Sequence, residues 1–185
     1  DGFYYAVFWE GMPDLNYREE AVTEAMQEAA RFWLGEMNVD GFRLDAVKYL
    51  IRDDETQVHT AETYVWLTGF EAFADGVLAG EGVVDALTVG EIWDTTRLVV
   101  PYVTEEAVDL AFEFDLAGAI LAAVQSGDPA WFAYVLEQVE TAYPGQAYAT
   151  FLTNHDQNRV MSQLRGDTER ARLAATVLLT LPGVP

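Results

Sequence analysis

The chain has no cysteine, so neither a disulfide framework nor a zinc site built on thiolates is open to it. Lysine is almost as scarce. Lys48 is the only one, the other basic residues are arginine, and His59 and His155 are the only histidines. Long apolar runs are missing too. The stretch LAATVLLTLPGVP at 173–185 falls short of the ~20 residues that cross a bilayer. No charged segment followed by an apolar core opens the chain, so no signal peptide shows, and no compartment follows from the residues. Both ends read as cut: the chain starts at DGFYYAVFW and stops at LPGVP, inside what looks like an entering strand. Internal repeats and low-complexity segments are also lacking.

What is present is acid and apolar mass. There are 31 acidic against 10 basic residues, a net charge of -21, which disfavours nucleic acid and anionic membrane surfaces as partners. An acidic, lysine-poor surface fits an ordinary soluble protein more readily than salt adaptation, though it is compatible with both. With 51% hydrophobic and 13% aromatic residues over 185 positions, the chain can bury one sizeable core, as a single domain or part of a larger one.

Helical and strand patterns alternate along it. After the loop EGMPDLNY (10–17), residues 18–36 show helical spacing, with Val22, Met26, Ala29, Ala30 and Trp33 on one face. GFRLDAV (41–47) reads as a strand, 61–80 as a helix and ALTVGEIW (86–93) as a buried strand. DLAFEF (109–114) reads as a short strand before a helix near 116–126. A further helix near 129–141 precedes a strand at 148–154, and 168–181 is helical. Such alternation predicts β-α units and a mainly parallel sheet, whose strands read as near-continuous apolar runs.

The run DGFRLDAVKY at 40–49 breaks that rule, because Arg43 and Asp45 stand inside a segment otherwise built for a core. A charge in such a run costs several kcal/mol unless it is paired. Two residues apart on a strand, the two side chains share a face, so Arg43 is expected to hold Asp45 ionised. Asp45, Glu91 and Asp156 each fall where an apolar strand meets a loop. Any one alone reads as a helix cap or a surface acid; three together point to a site at the strands' C-terminal ends. Glu91 stands among Val89, Ile92 and Trp93, where poor solvation is expected to keep its proton available. Paired carboxylates, one ionised and one protonated, are what glycosyl transfer needs.

GFRLDAVKY, GEIWD and FLTNHDQNR resemble three short signature regions of the α-amylase family of retaining glycoside hydrolases, and MPDLNY at 12–17 resembles a fourth. The resemblance runs in the family's order from about residue 3 to the end. It implies an α/β fold, a partial (β/α)8 TIM barrel comprising roughly strands 4 to 7 and the start of strand 8. On that reading residues 1–185 are all catalytic barrel, with strands 1–3 and a C-terminal β domain outside the chain, so this polypeptide alone is expected neither to close a barrel nor to turn over substrate.

The resemblance further implies that Asp45 is the nucleophile, Glu91 the acid and then base, and Asp156 a holder of sugar hydroxyls. His155 is expected to donate to a hydroxyl of the sugar being cleaved, Trp93 to stack on a sugar ring and Lys48 to contact the leaving-group side. For Arg159, substrate contact and an ion pair bracing its loop stand equal. Trp9, Trp33, Trp66, Trp131, Phe112 and Phe114 read as packing. Tyr49 stands where many true α-amylases carry histidine, and MPDLN lies between the forms of oligo-1,6-glucosidases and neopullulanases. The implied substrate is an α-1,4-glucan or maltooligosaccharide. Rival readings are a transglycosylase of trehalose synthase or glucanotransferase type, an α-1,6- or α-glucosidase, and a non-catalytic barrel scaffold, against which the three acids count. Relatives often bind Ca2+; here only the Tyr49 carbonyl could contribute, no metal ligand set is assignable, and Asp53, Asp54 and Glu55 read as a solvated loop.

Overall fold

The computed structural model describes residues 3–53, 55–80, 82 and 85–185. Asp54 of the acidic run lies outside the described residues. The chain divides into two compact units, residues 1–91 with 105–108 and residues 92–104 with 109–185.

In the first unit, α1 (Glu20–Arg31) carries an acid in its first turn and a base in its last, matching the helix dipole. It runs into a π-helical turn, Phe32–Glu36, that turns Leu34 inward. Strand β1 (Gly41–Leu44) pairs in parallel with β2 (Leu87–Gly90), Arg43 opposite Val89 and Leu44 opposite Gly90. Between them lies α2 (Ala61–Gly80), which buries Leu67, Phe70, Ala74 and Leu78 at helical spacing. Leu34, Ala74, Leu78 and Ala86 form a core with Val39, Phe42 and Val77 against it. Gly41 is required by close approach, since a β-carbon there would overlap the Leu87 backbone.

In the second unit, α3 (Thr96–Thr104) and β3 (Leu110–Phe112) are followed by α4 (Phe114–Ser126) and α5 (Ala130–Ala142). Strand β4 (Tyr148–Ala149) pairs in parallel with β3, and Ala149 bridges to Val184. Helices α6 (Val160–Gln163) and α7 (Thr168–Thr180) complete it. Val99 and Tyr102 from α3, Leu116, Ile120 and Val124 from α4, and Val135 and Val139 from α5 are buried.

The strands are shorter than the apolar runs suggest. β1 stops at Leu44 because Ala46 takes a left-handed φ of 46° and Val47–Tyr49 closes a 3-10 turn. The run 86–93 pairs only over Leu87–Gly90, and 148–154 only over Tyr148–Ala149. Helix α3 has no counterpart in the sequence reading, since its β-branched residues and internal Pro101 argue against a helix. Phe114 does not continue the strand of Phe112. Glu113 caps α4, accepting from the Asp115 N–H, and Phe114 becomes the helix's first residue. Trp66 packs as expected, stacked on Phe70 with its indole N–H donating to Thr23. Trp9, Trp33 and Trp131 instead stand exposed.

Glu113 is fully buried, with Tyr143 donating to Oε2 at 2.8 Å and Thr96 Oγ1 lying 3.0 Å from Oε1. Burial raises its carboxyl above the ordinary 4.5, overcoming the opposing hydrogen bonds from Tyr143 and Thr96. The folded chain therefore keeps this proton at pH values where the unfolded chain has lost it, so the linked stability is complete below pH 4.5 and drains as pH rises through the raised value. Glu113→Gln cannot titrate. In urea unfolding of the protein, the stability of the unaltered form relative to Glu113→Gln is expected to fall as pH rises above 4.5; parallel pH curves would contradict this.

Candidate active site

The end of β1 is pinned to the end of β2. Glu91 N–H donates to the Leu44 carbonyl at 2.8 Å, and Val47 N–H returns a bond to the Glu91 carbonyl at 3.2 Å. This places the chain just past both strands, where Asp45 and Glu91 leave the ladder. Arg43 Nη2 donates to Asp45 Oδ1 at 2.7 Å and also to Glu91 Oε2. One nitrogen thus holds two carboxylates, where pairing with Asp45 alone was expected.

The two acids differ in setting. Glu91 is 7% exposed, whereas the Asp45 side chain is 70% exposed. The expected burial of Glu91 is there, with the Arg43 guanidinium against its carboxylate. For Arg43 itself, burial pulls its pKa down, yet the hydrogen bonds and charges of Glu91 and Asp45 outweigh that and leave it above the ordinary value. A cation shared in this way lets two like charges stand close together.

Asp45 also borders an open pocket of about 140 Å³ whose wall includes Phe8, Asp14 and Tyr49. Asp14, from MPDLNY, accepts from the Val7 N–H at 3.3 Å and donates its own N–H to the Tyr5 carbonyl, folding the loop back on residues 5–7. Neither Phe8 nor Asp14 was among the expected site residues. For Asp14 the signal was the motif itself; Phe8 carried none. Lys48 is buried, with its ammonium 5.2 Å from the Tyr49 ring centroid, and Phe8 meets that ring edge-on.

The second unit holds the remaining candidates. His155 Nε2 lies 3.4 Å from Asp156 Oδ2, both side chains exposed. Asp156 N–H donates to Asn154 Oδ1, and Asn154 N–H to Gln157 Oε1, so the loop 154–157 is ordered by its own polar groups. Arg159 is exposed and immediately precedes α6. Trp93 is half exposed and stacks on Phe114. Arg43, Asp45 and Glu91 thus form one group and His155 with Asp156 another, each within its own unit.

Among the described residues, no three His, Cys, Asp or Glu side chains come together in a group that could hold a metal ion. Asp53 is committed locally: its carboxylate accepts from the N–H groups of Thr56 and Glu55, which lower its pKa.

Parallel strands alternating with helices define the class: part of a (β/α)8 barrel. The family model for the α-amylase catalytic domain matches residues 1–185, and the chain belongs to the α-amylase family. It is 34% identical to alpha-amylase 3 of Dictyoglomus thermophilum over 188 residues, covering 100% of this chain and 35% of that protein. It is 30% identical to the 4-alpha-glucanotransferase of Thermotoga neapolitana, covering 99% of this chain and 37% of that protein. The crystal structure of the alpha-amylase from H. orenii superimposes with a TM-score of 0.86 at 37% identity, over 98% of this chain and 36% of that one. The chain spans about a third of the length of these relatives.

Removing Arg43 leaves Glu91 buried without its cation. In urea unfolding, Arg43→Leu is expected to cost about 1–3 kcal/mol, and Arg43→Leu combined with Glu91→Leu to recover part of that loss. A double variant no more stable than Arg43→Leu alone would contradict the pairing.

Proposed function

We propose that the enzyme carrying this chain hydrolyses α-1,4-glucosidic bonds in starch-type glucans or maltooligosaccharides, with retention, through a covalent glycosyl intermediate. The observation that carries this reading is the single Arg43 nitrogen bound to both Asp45 and Glu91. Two carboxylate oxygens on one nitrogen are separated by at most two hydrogen-bond lengths, about 6 Å. That supports the retaining spacing of about 5–5.5 Å over the wider inverting one.

In the first step the Asp45 carboxylate bonds to the anomeric carbon while the glycosidic C–O bond breaks. The electron pair goes to the leaving oxygen, which takes the proton of Glu91. In the second step Glu91 removes a proton from water, the water oxygen bonds to the anomeric carbon, and Asp45 leaves as carboxylate. Asp45, the exposed member of the pair, is open to a sugar. Buried Glu91 exchanges its proton in a water-poor setting. Asp156 and His155 hold hydroxyls of the sugar being cleaved, Trp93 stacks on a ring, and Lys48, Tyr49 and Arg159 contact the rest of the glucan.

A second reading has a sugar hydroxyl in place of water intercept the intermediate. It is favoured by the likeness to a protein named as a 4-alpha-glucanotransferase. Maltoheptaose as sole substrate separates the two: hydrolysis yields only shorter products at low and high concentration, whereas transfer yields longer ones as concentration rises.

Glu91→Gln is expected to lower kcat on maltooligosaccharides by about 10²–10⁴-fold, and Asp45→Asn to remove turnover at least as fully. Proton NMR of the first product formed by the unaltered enzyme should show the α-anomer. Hydrolysis undiminished in either variant would overturn the assignment of roles.

A further inference from the structure

The segment that carries Trp93 is tied to the start of α4 by contacts that core packing alone does not explain. Phe114 lies parallel to Trp93, ring centroids 5.0 Å apart at 11°, and meets Phe151 edge-on at 4.9 Å. Phe112 meets the same Phe151 edge-on, giving Phe114 a fixed aromatic backing. On either side of Phe114, Glu113 and Asp115 are bound to Thr96, three residues beyond Trp93. Thr96 N–H donates to Asp115 Oδ2 at 2.9 Å, and its hydroxyl lies 3.0 Å from Glu113 Oε1 and 3.2 Å from Asp115 Oδ2. Glu113 is anchored in turn by Tyr143. The backbone next to Trp93 and the ring beneath it are therefore held by the same helix start. Trp93 itself keeps 49% of its surface exposed, while Phe114 is 8% exposed.

We propose that Phe114 is a positioning residue for substrate binding: it sets the plane of the Trp93 ring, and the Thr96–Glu113–Asp115 bonds hold the two segments in register. This rests on the reading of Trp93 as a sugar-stacking residue. A pyranose stacks on an aromatic face only when the ring is presented flat. A tryptophan free to turn about its side-chain torsions spends part of the binding energy on ordering itself. With a phenyl ring already parallel beneath it, that ordering is complete before the glucan arrives.

The test uses the enzyme carrying this chain, with maltooligosaccharides as substrate and kcat and KM measured separately. Phe114→Leu removes the flat support. It is expected to raise KM about three- to tenfold with kcat nearly unchanged, the range of an aromatic pair. Phe114→Tyr retains the ring and should restore KM. In a Trp93→Ala background, Phe114→Leu should have no further effect on KM, because the residue acts through Trp93. Should Phe114→Leu not fold, as judged by thermal melting, Phe114→Met fills the space flexibly and carries the same comparison.

If Trp93→Ala raises KM and Phe114→Leu or Met does not, the positioning role is overturned while the sugar-stacking reading stands. If Trp93→Ala itself leaves KM unchanged, the stacking reading falls and takes the positioning role with it. Equal effects of Phe114→Leu with and without Trp93 would show that it acts on the fold in general, which also overturns the proposal.

Discussion

One guanidinium between two carboxylates is the contact on which the site depends. Asp45 and Glu91 are brought together by the parallel pairing of β1 with β2 and by the bonds linking their strand ends. Like charges at that range repel, and neither strand end would tolerate both without a cation on the same face. Arg43 is the residue that can supply it. It is two positions before Asp45 on β1, opposite Val89 in the ladder, and Glu91 is two positions beyond Val89. The same alternation that sets strand side chains on one face therefore delivers the arginine, the exposed acid and the buried acid to one point. Gly41 makes this possible from the other end of β1, by letting the strands approach where a β-carbon would hold them apart.

Much of this was legible in the sequence, because it depends on period two and on strand ends. The helices over 18–36, 61–80 and 168–181 were visible as apolar spacing, and the acids at 45, 91 and 156 as polar breaks in apolar runs. The places where each strand stops were not visible. Apolar residues continue past Leu44, Gly90 and Ala149 although the strands end there; after Leu44 the positive φ at Ala46 and the 3-10 turn that follows take the chain out of the ladder. The reach of Arg43 to Glu91 was hidden as well, since it depends on the register of two strands distant in sequence. Phe114 was misplaced for a similar reason. DLAFEF alternates like a strand, but Glu113 satisfies the first N–H groups of α4, and the helix begins one residue later. A capping acid inside an apolar run looks the same in sequence as an outward-facing strand residue.

The second unit uses a buried acid differently. Among the described residues, Glu113 meets no cation. Its carboxyl is satisfied by Tyr143, by Thr96 and by backbone N–H, and its proton is held by burial. Glu91 and Glu113 are thus both nearly inaccessible, yet one is matched to an arginine and the other to hydroxyls. The first arrangement lets a buried acid stand beside a second acid. The second suits a joint, because a network with every member satisfied has one favourable geometry and resists others.

Arginine is also what the composition of the chain demands. With 31 acids and 10 bases, cations are scarce, and two of the arginines each serve two acceptors. Arg18 donates to Glu62 and to the Arg52 carbonyl, as Arg43 does to Asp45 and Glu91. A planar fork with five donors can do this in a fixed direction, while an ammonium on a flexible stem spreads over many geometries. Lys48 is the exception, and it is used differently: buried, with its charge near the Tyr49 ring beside the pocket that borders Asp45. Under the proposed function, the ring of Tyr49 is held from two sides, by the ammonium of Lys48 and the edge of Phe8. A phenol so placed presents one hydroxyl where the histidine of many true α-amylases would present ring nitrogens.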